Sequence, residues 1–198
     1  MQDLRDRILI ALSVKGFADA DALAPSVEVS AAEVAMIFDV LMSEGLAKTK
    51  LLGTKLTAKG IAEARKAWMA EQALVDGGVR PALLREFEPI DSRLKGLVSD
   101  WNMKKTPSGP MRNHHDNVAY DTEITDSIAS VHDAITPLLA MLSGILPRFV
   151  SYTRRLEEAL QKVIAGDGRF VAEPLLDSYN TVWIELREDL TRLSQKNG

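Results

Sequence analysis

Residues 30–60 read S-A-A-E-V-A-M-I-F-D-V-L-M-S-E-G-L-A-K-T-K-L-L-G-T-K-L-T-A-K-G. Ser30 and Glu33 have capping-box spacing: the serine oxygen accepts an amide from the first turn, and the glutamate reaches back to the amide of the cap. A helix to about Ser43 follows, with Val34, Ile37, Phe38 and Leu41 on one side, and Gly45 ends it. Residues 46–50 and 55–57 are short extended pieces with Gly53 in the turn between them. Thr57 then caps another helix, which carries Ile61, Ala64, Ala67 and Trp68 inward and runs to about Leu74. The order is helix, turn, small two-stranded flap, helix.

Upstream, Leu4, Ile8, Leu9 and Leu12 give a helical stripe over residues 2–15 that Gly16 terminates, and Asp19 or Asp21 caps a short second helix reaching about Pro25. The first 76 residues therefore predict a winged helix-turn-helix domain with a small β-hairpin. The E-G-L of Glu44, Gly45 and Leu46 and the L-T-x-x-G of Leu56, Thr57 and Gly60 resemble the MarR-like winged-helix domains of bacterial regulators over residues 4–68. The resemblance implies a bacterial regulator that lays its third helix in the DNA major groove. A cytoplasmic location is the default expectation, and a homodimer is expected because one small module rarely reaches useful affinity.

Asp76-Gly77-Gly78 is the expected domain boundary, because paired glycines break a helix. Residues 79–198 predict an all-helical bundle. Leu83, Leu84, Phe87, Ile90, Leu94, Leu97, Val98 and Trp101 form one apolar stripe, with a kink expected near Pro89. Residues 104–117 read as a polar loop. A helix over 118–135 follows, Thr136-Pro137 restarts another, and further helices are expected over 149–164 and 174–193. The fold class is thus mainly α. Residues 156–167 and 174–190 resemble a helical module of actinobacterial proteins linked to phosphoenolpyruvate-utilising enzymes, which implies docking to such an enzyme as an alternative to DNA binding. The A-G-D of residues 165–167 also resembles the helical effector domains of GntR-type regulators, but histidines do not stand at the metal-binding positions here.

Composition narrows the chemistry. The chain has 198 residues, 46% of them hydrophobic, which suits a globular protein. It has no cysteine, so disulfides, thiolate zinc sites and a cysteine nucleophile are excluded. Its N-terminus lacks the apolar core and cleavage site of a signal peptide, and no run approaches the roughly 20 apolar residues of a membrane span. Residues 1–70 balance to zero net charge and the remainder carries the whole −4. A dedicated DNA-binding domain is usually basic, so binding here rests on segregated charge.

The expected DNA-binding residues are Ser30, Ala32, Ala35 and Met36 on the third helix and Lys48, Lys50 and Lys55 on the wing. The exposed positions of that helix, Asp39 included, offer no Arg, Lys, Asn or Gln to read base edges. The same smooth surface suits contact with a protein. A small-molecule pocket, if present, is expected between bundle helices near Trp101, Tyr179 and Trp183, rimmed by Glu185, Arg187 or Arg154. His114, His115 and Asp116 read as a solvated loop, with Asp121, Glu123 and Asp126 as the only nearby co-ligands for a metal and His132 far along the next helix. Glu188 and Asp189 read as ordinary surface acids. No catalytic constellation and no cofactor motif stands out, so neither an enzyme nor a cofactor is expected.

Overall fold

A computed structural model describes residues 4–51 and 53–195. The chain is mainly helical with two small antiparallel hairpins. Helix α1 (Leu4–Lys15) ends at Gly16, whose φ of +79° is the left-handed conformation that glycine accepts without strain. Residues 2 and 3 of the expected first helix lie outside the described residues. Helix α2 (Ala20–Val27) is capped by Asp19, which accepts the amide of Ala22 at 2.8 Å. Helix α3 (Ala31–Ser43) carries the capping box: Ser30 N donates to Glu33 at 2.9 Å, and Glu33 N to Ser30 Oγ at 3.3 Å. Strands β1 (Ala47–Lys50) and β2 (Gly53–Leu56) pair antiparallel, and α4 (Ala58–Gln72) follows Thr57 as its cap. These elements enclose a core of Ile8, Leu9, Leu12, Leu23, Val34, Phe38, Leu41 and Leu46 with their neighbours. Ile61 departs from expectation: it is 58% exposed, because α4 turns Ala64, the smaller residue, onto α1.

After the turn at Gly77-Gly78, α5 (Val79–Asn102) runs straight into a second hairpin, β3 (Met103–Thr106) and β4 (Gly109–Arg112). The polar loop expected over 104–117 is therefore largely a β-ribbon. Its strands face water on both sides and carry no apolar alternation, so periodicity could not reveal them. Pro110 is tolerated because a two-stranded ribbon is all edge. Helix α6 (Val118–Ile145) is continuous where two helices were expected. Pro137 lies on its exposed face, as does Asp133, whose carbonyl loses its helical partner on the solvent side, and the apolar stripe holds the helix together. Pro89 in α5 is likewise exposed and the helix continues through it.

A short 3-10 turn (Pro147–Phe149) leads into α7 (Val150–Ile164), then a four-residue helix α8 (Arg169–Ala172), and finally α9 (Tyr179–Ser194), capped by Ser178. The last helix begins later than expected, since residues 174–178 lie outside it. Helices α5, α6, α7 and α9 pack around a second core in which Trp183 stacks between Phe87 and Tyr179, with ring centroids 5.3 and 6.0 Å away. Helix α6 is long and apolar enough, by length and composition, to span a bilayer. Ile124, Ile128, Val131, Ile135, Leu138, Leu139 and Leu142 along it are buried in this core.

Candidate functional site

Two sequence motifs meet to build the wing. Thr57, at the end of L-T, donates its amide to Leu46 O at 2.8 Å and its hydroxyl to Gly45 O at 2.7 Å. Gly60 then packs so closely that a Cβ there would stand 2.0 Å from the Leu46 carbonyl oxygen. The glycine is needed for that approach. Lys59 Nζ adds a bond to Glu44 O at 2.9 Å. A backbone bridge between Ala18 and Thr54, with bonds of 3.0 and 2.8 Å, ties the wing to the loop between α1 and α2.

The two faces of the wing differ in chemistry. Thr49 and Thr54 oppose each other on the face toward α3, their hydroxyls 3.5 Å apart, and Thr49 also donates to the Met42 sulfur at 3.3 Å. The other face carries Lys48 directly across from Lys55, with Lys50 two residues along. All three lysines are exposed, and none has an ion pair among the described residues. Like charges placed directly opposite across a ribbon cost stability. Folding gains nothing from the arrangement.

Helix α3 packs on α1, α2 and β1, and its outer side is open. Ser30, Ala32 and Ala35 are exposed and Met36 is 62% exposed; Asp39 and Val40 join them. The Ser30 hydroxyl and amide hold the Glu33 carboxyl below its usual range, so this acid stays ionised in its cap. Residues expected to touch DNA therefore sit on two neighbouring, uncovered elements.

The three expected ligand aromatics separate. Tyr179 and Trp183 are fully buried in the bundle core and line none of the described cavities. The Trp183 indole donates to Asp91 at 2.9 Å, where Arg187 also binds at 2.8 Å. Arg154 reaches across to Pro25 O at 2.7 Å instead of rimming a pocket. Trp101 alone of the three faces an opening, a cleft of about 960 Å³ that it shares with His115 and Asp121. In the histidine loop the neighbours diverge: Asp116 pairs with Lys104 at 2.7 Å, and His115 with Asp121 at 3.1 Å. His132 is in the core, 3.0 Å from Glu157 and 3.4 Å from the Tyr179 hydroxyl. No group of three His, Asp or Glu side chains among the described residues is placed to hold a metal ion.

The principal polar feature went unseen in the sequence. Arg148, in the turn before α7, binds both carboxylate oxygens of Glu71 on α4 and both of Asp189 on α9. Tyr152 and Trp68 also donate to Asp189, at 2.9 and 3.2 Å. Asp189 is fully buried, which corrects its reading as a surface acid, and Trp68 on α4 reaches toward α9 of the bundle. Burial works against the charge of Arg148, but Asp189 and Glu71 outweigh it and raise its pKa well above the ordinary arginine value. A second group lies alongside: Arg155 binds Asp177 at 2.7 Å and Glu185 at 2.8 Å, and Lys15 from α1 binds Glu185 at 2.7 Å. One signal was present. Glu185 and Asp189 fall on the buried stripe of α9 with Val182, Leu186 and Leu193, and an acid on an apolar stripe needs a cation opposite it. Which cation answers depended on tertiary structure.

These contacts join the N-terminal helices to the bundle. Between the two lies a cavity of about 510 Å³, walled by Leu12 and Leu56 on one side and Glu188 and Arg192 on the other, with Ile61 and Trp68 of α4 between. Comparison with known protein families, with curated proteins and with solved structures finds no match to this chain.

Proposed function

We propose that the chain is a transcriptional-regulator-like protein that binds DNA through its winged helix and uses the helical bundle for dimerisation or effector sensing. The observation that carries this reading is the lysine face of the wing. Lys48 and Lys55 are held opposite each other with no counter-ion among the described residues, and a phosphate backbone would supply the missing negative charge. Ser30 and the amides at the start of α3 add a phosphate contact at a helix N-terminus. Ala32 and Ala35 are small enough to let the helix approach, and an alanine methyl meets the thymine methyl. With no bidentate side chain on α3, sequence discrimination is weak and affinity is mostly electrostatic. A homodimer is required, because a single module of this size rarely binds usefully.

A second reading is favoured by one observation. Met36 and Val40 are 62% and 42% exposed beside Ala32 and Ala35, an apolar strip suited to a protein surface. In that reading α3 docks on a partner such as a phosphoenolpyruvate-utilising enzyme, and the wing lysines meet acids on it.

Fluorescence anisotropy with labelled duplex DNA of random sequence separates the two. The DNA reading expects binding that weakens with salt, with a log–log slope of about −3 per protomer for three lysine–phosphate contacts. Replacing Lys48, Lys50 and Lys55 together by Ala should remove most of that slope. Absence of binding even at low salt rejects the DNA reading and leaves docking.

A further inference from the structure

The cleft beside Trp101 has a worked interior that the DNA reading does not use. Asn113 is buried and organises it: its Nδ2 donates to Trp101 O at 3.0 Å and to Asp121 Oδ1 at 2.9 Å, while its Oδ1 accepts the His115 amide at 3.0 Å. His115 is thereby held at φ +56°, a conformation few residues other than glycine adopt. Its ring lies 4.4 Å from that of Trp101, and its Nδ1 faces Asp121 Oδ2 at 3.1 Å. The Asn113 amide nitrogen also lies 3.3 Å from Nδ1. In the neutral ring whose proton sits on Nδ1, toward the carboxylate, Nε2 is the hydrogen-bond acceptor. Nε2 has no partner among the described residues, and the ring lines the cleft.

The rest of the lining defines what fits. Val118 and Ile164 are exposed apolar walls, 78% and 61% accessible. Arg169 is the one cation among the lining residues, and it is turned back onto Asp167 at 2.7 and 2.9 Å. Asp126 and Glu173 also line the cleft, and neither has a salt bridge among the described residues. We infer that this cleft binds a small organic amine with an apolar body, its ammonium bonded to His115 Nε2 and balanced by Asp126 and Glu173, its body on Trp101 and the apolar walls. Cation, acceptor and aromatic surface are matched in one opening.

The test uses the full chain, labelled with ¹⁵N at histidine, and benzylamine as the probe. Benzoate and benzyl alcohol are the anionic and neutral controls. The His115 signals are assigned by their loss in His115→Gln. Benzylamine should shift them with a dissociation constant on the order of 1 mM, the range open to a ligand of this size. The pair Asp126→Asn, Glu173→Gln, both exposed positions, should weaken binding about tenfold with an unchanged melting curve. Asp121→Asn, which frees the ring to rotate, should weaken it while both rim acids remain. The inference falls if benzylamine leaves His115 unmoved at about 50 mM, well above that range, or if benzoate or benzyl alcohol shifts it equally. Neither result bears on DNA binding by the wing.

Discussion

The Arg148 guanidinium grips both carboxylate oxygens of Glu71, at 2.7 to 2.9 Å, and so ties the loop before α7 to the end of α4. Asp189 shares the same guanidinium from the other side. One buried cation thereby joins α4 of the N-terminal unit to two elements of the bundle. Such a group contributes little over a well-packed apolar one, but its members depend on one another, because any one removed strands the rest without solvent.

Arg148→Met should destabilise the protein by about 3–5 kcal/mol, since Glu71 and Asp189 remain buried and unpaired. For a chain of this length that is a fall in melting temperature of about 6–20 °C. Thermal unfolding followed by circular dichroism measures it. A loss below about 1 kcal/mol would show that the carboxylates find other partners or are simply protonated.

Gly60→Ala should cost about 3 kcal/mol or more, because the added carbon meets a backbone oxygen that cannot yield as a side chain does. Gly96→Ala is the internal control. Nothing lies within 4 Å of a carbon added there, and it sits inside α5, so it should stabilise by about 0.5–1 kcal/mol. Urea denaturation of both variants reads the two signs.

Lys55→Glu should separate folding from binding. Facing Lys48 across the ribbon, the new carboxylate replaces repulsion with attraction and should raise stability by about 0.2–1 kcal/mol. The same change should weaken DNA binding and flatten its salt dependence. Parallel melting and anisotropy measurements would show opposite signs. A fall in both would mean that the lysine supports the wing itself.

Acid should weaken the packing of α9 and of the loop before it. Burial works to raise the Asp177 carboxyl, but Arg155 and Lys15 outweigh it and hold its pKa below the ordinary aspartate value. Burial likewise opposes Asp91, and Lys95, Trp183 and Arg187 overcome it. Both acids therefore bind a proton less readily folded than unfolded. Their stabilisation is complete above the unfolded value of about 4 and disappears as pH falls through the lower folded values. Melting temperature measured against pH should drop below about pH 4, and Asp177→Asn should make that drop shallower. An unchanged slope in the variant would place the acid sensitivity elsewhere.

Local chemistry was enough to read the first seventy residues. Asp19, Ser30 and Thr57 cap helices because each side-chain oxygen meets an amide three residues away, and Gly16 and Gly45 end helices at positive φ. These are contacts between near neighbours, so composition and spacing encode them directly. The second hairpin had no such encoding, since no apolar alternation runs along its strands and its turn holds only Pro107 and Ser108 between the paired Thr106 and Gly109. Pro137 misled for a related reason: whether a proline breaks a helix depends on whether the freed carbonyl faces water, and that is settled by which side of α6 packs inward. The joining of Arg148 to Glu71 spans 77 residues and that of Trp68 to Asp189 spans 121. Sequence alone determined the caps, the first hairpin and most helix positions, because those depend largely on near neighbours in the chain. Tertiary structure decided which buried charges meet and where the His115 cleft opens, because desolvated charges choose partners by proximity in space and not along the chain.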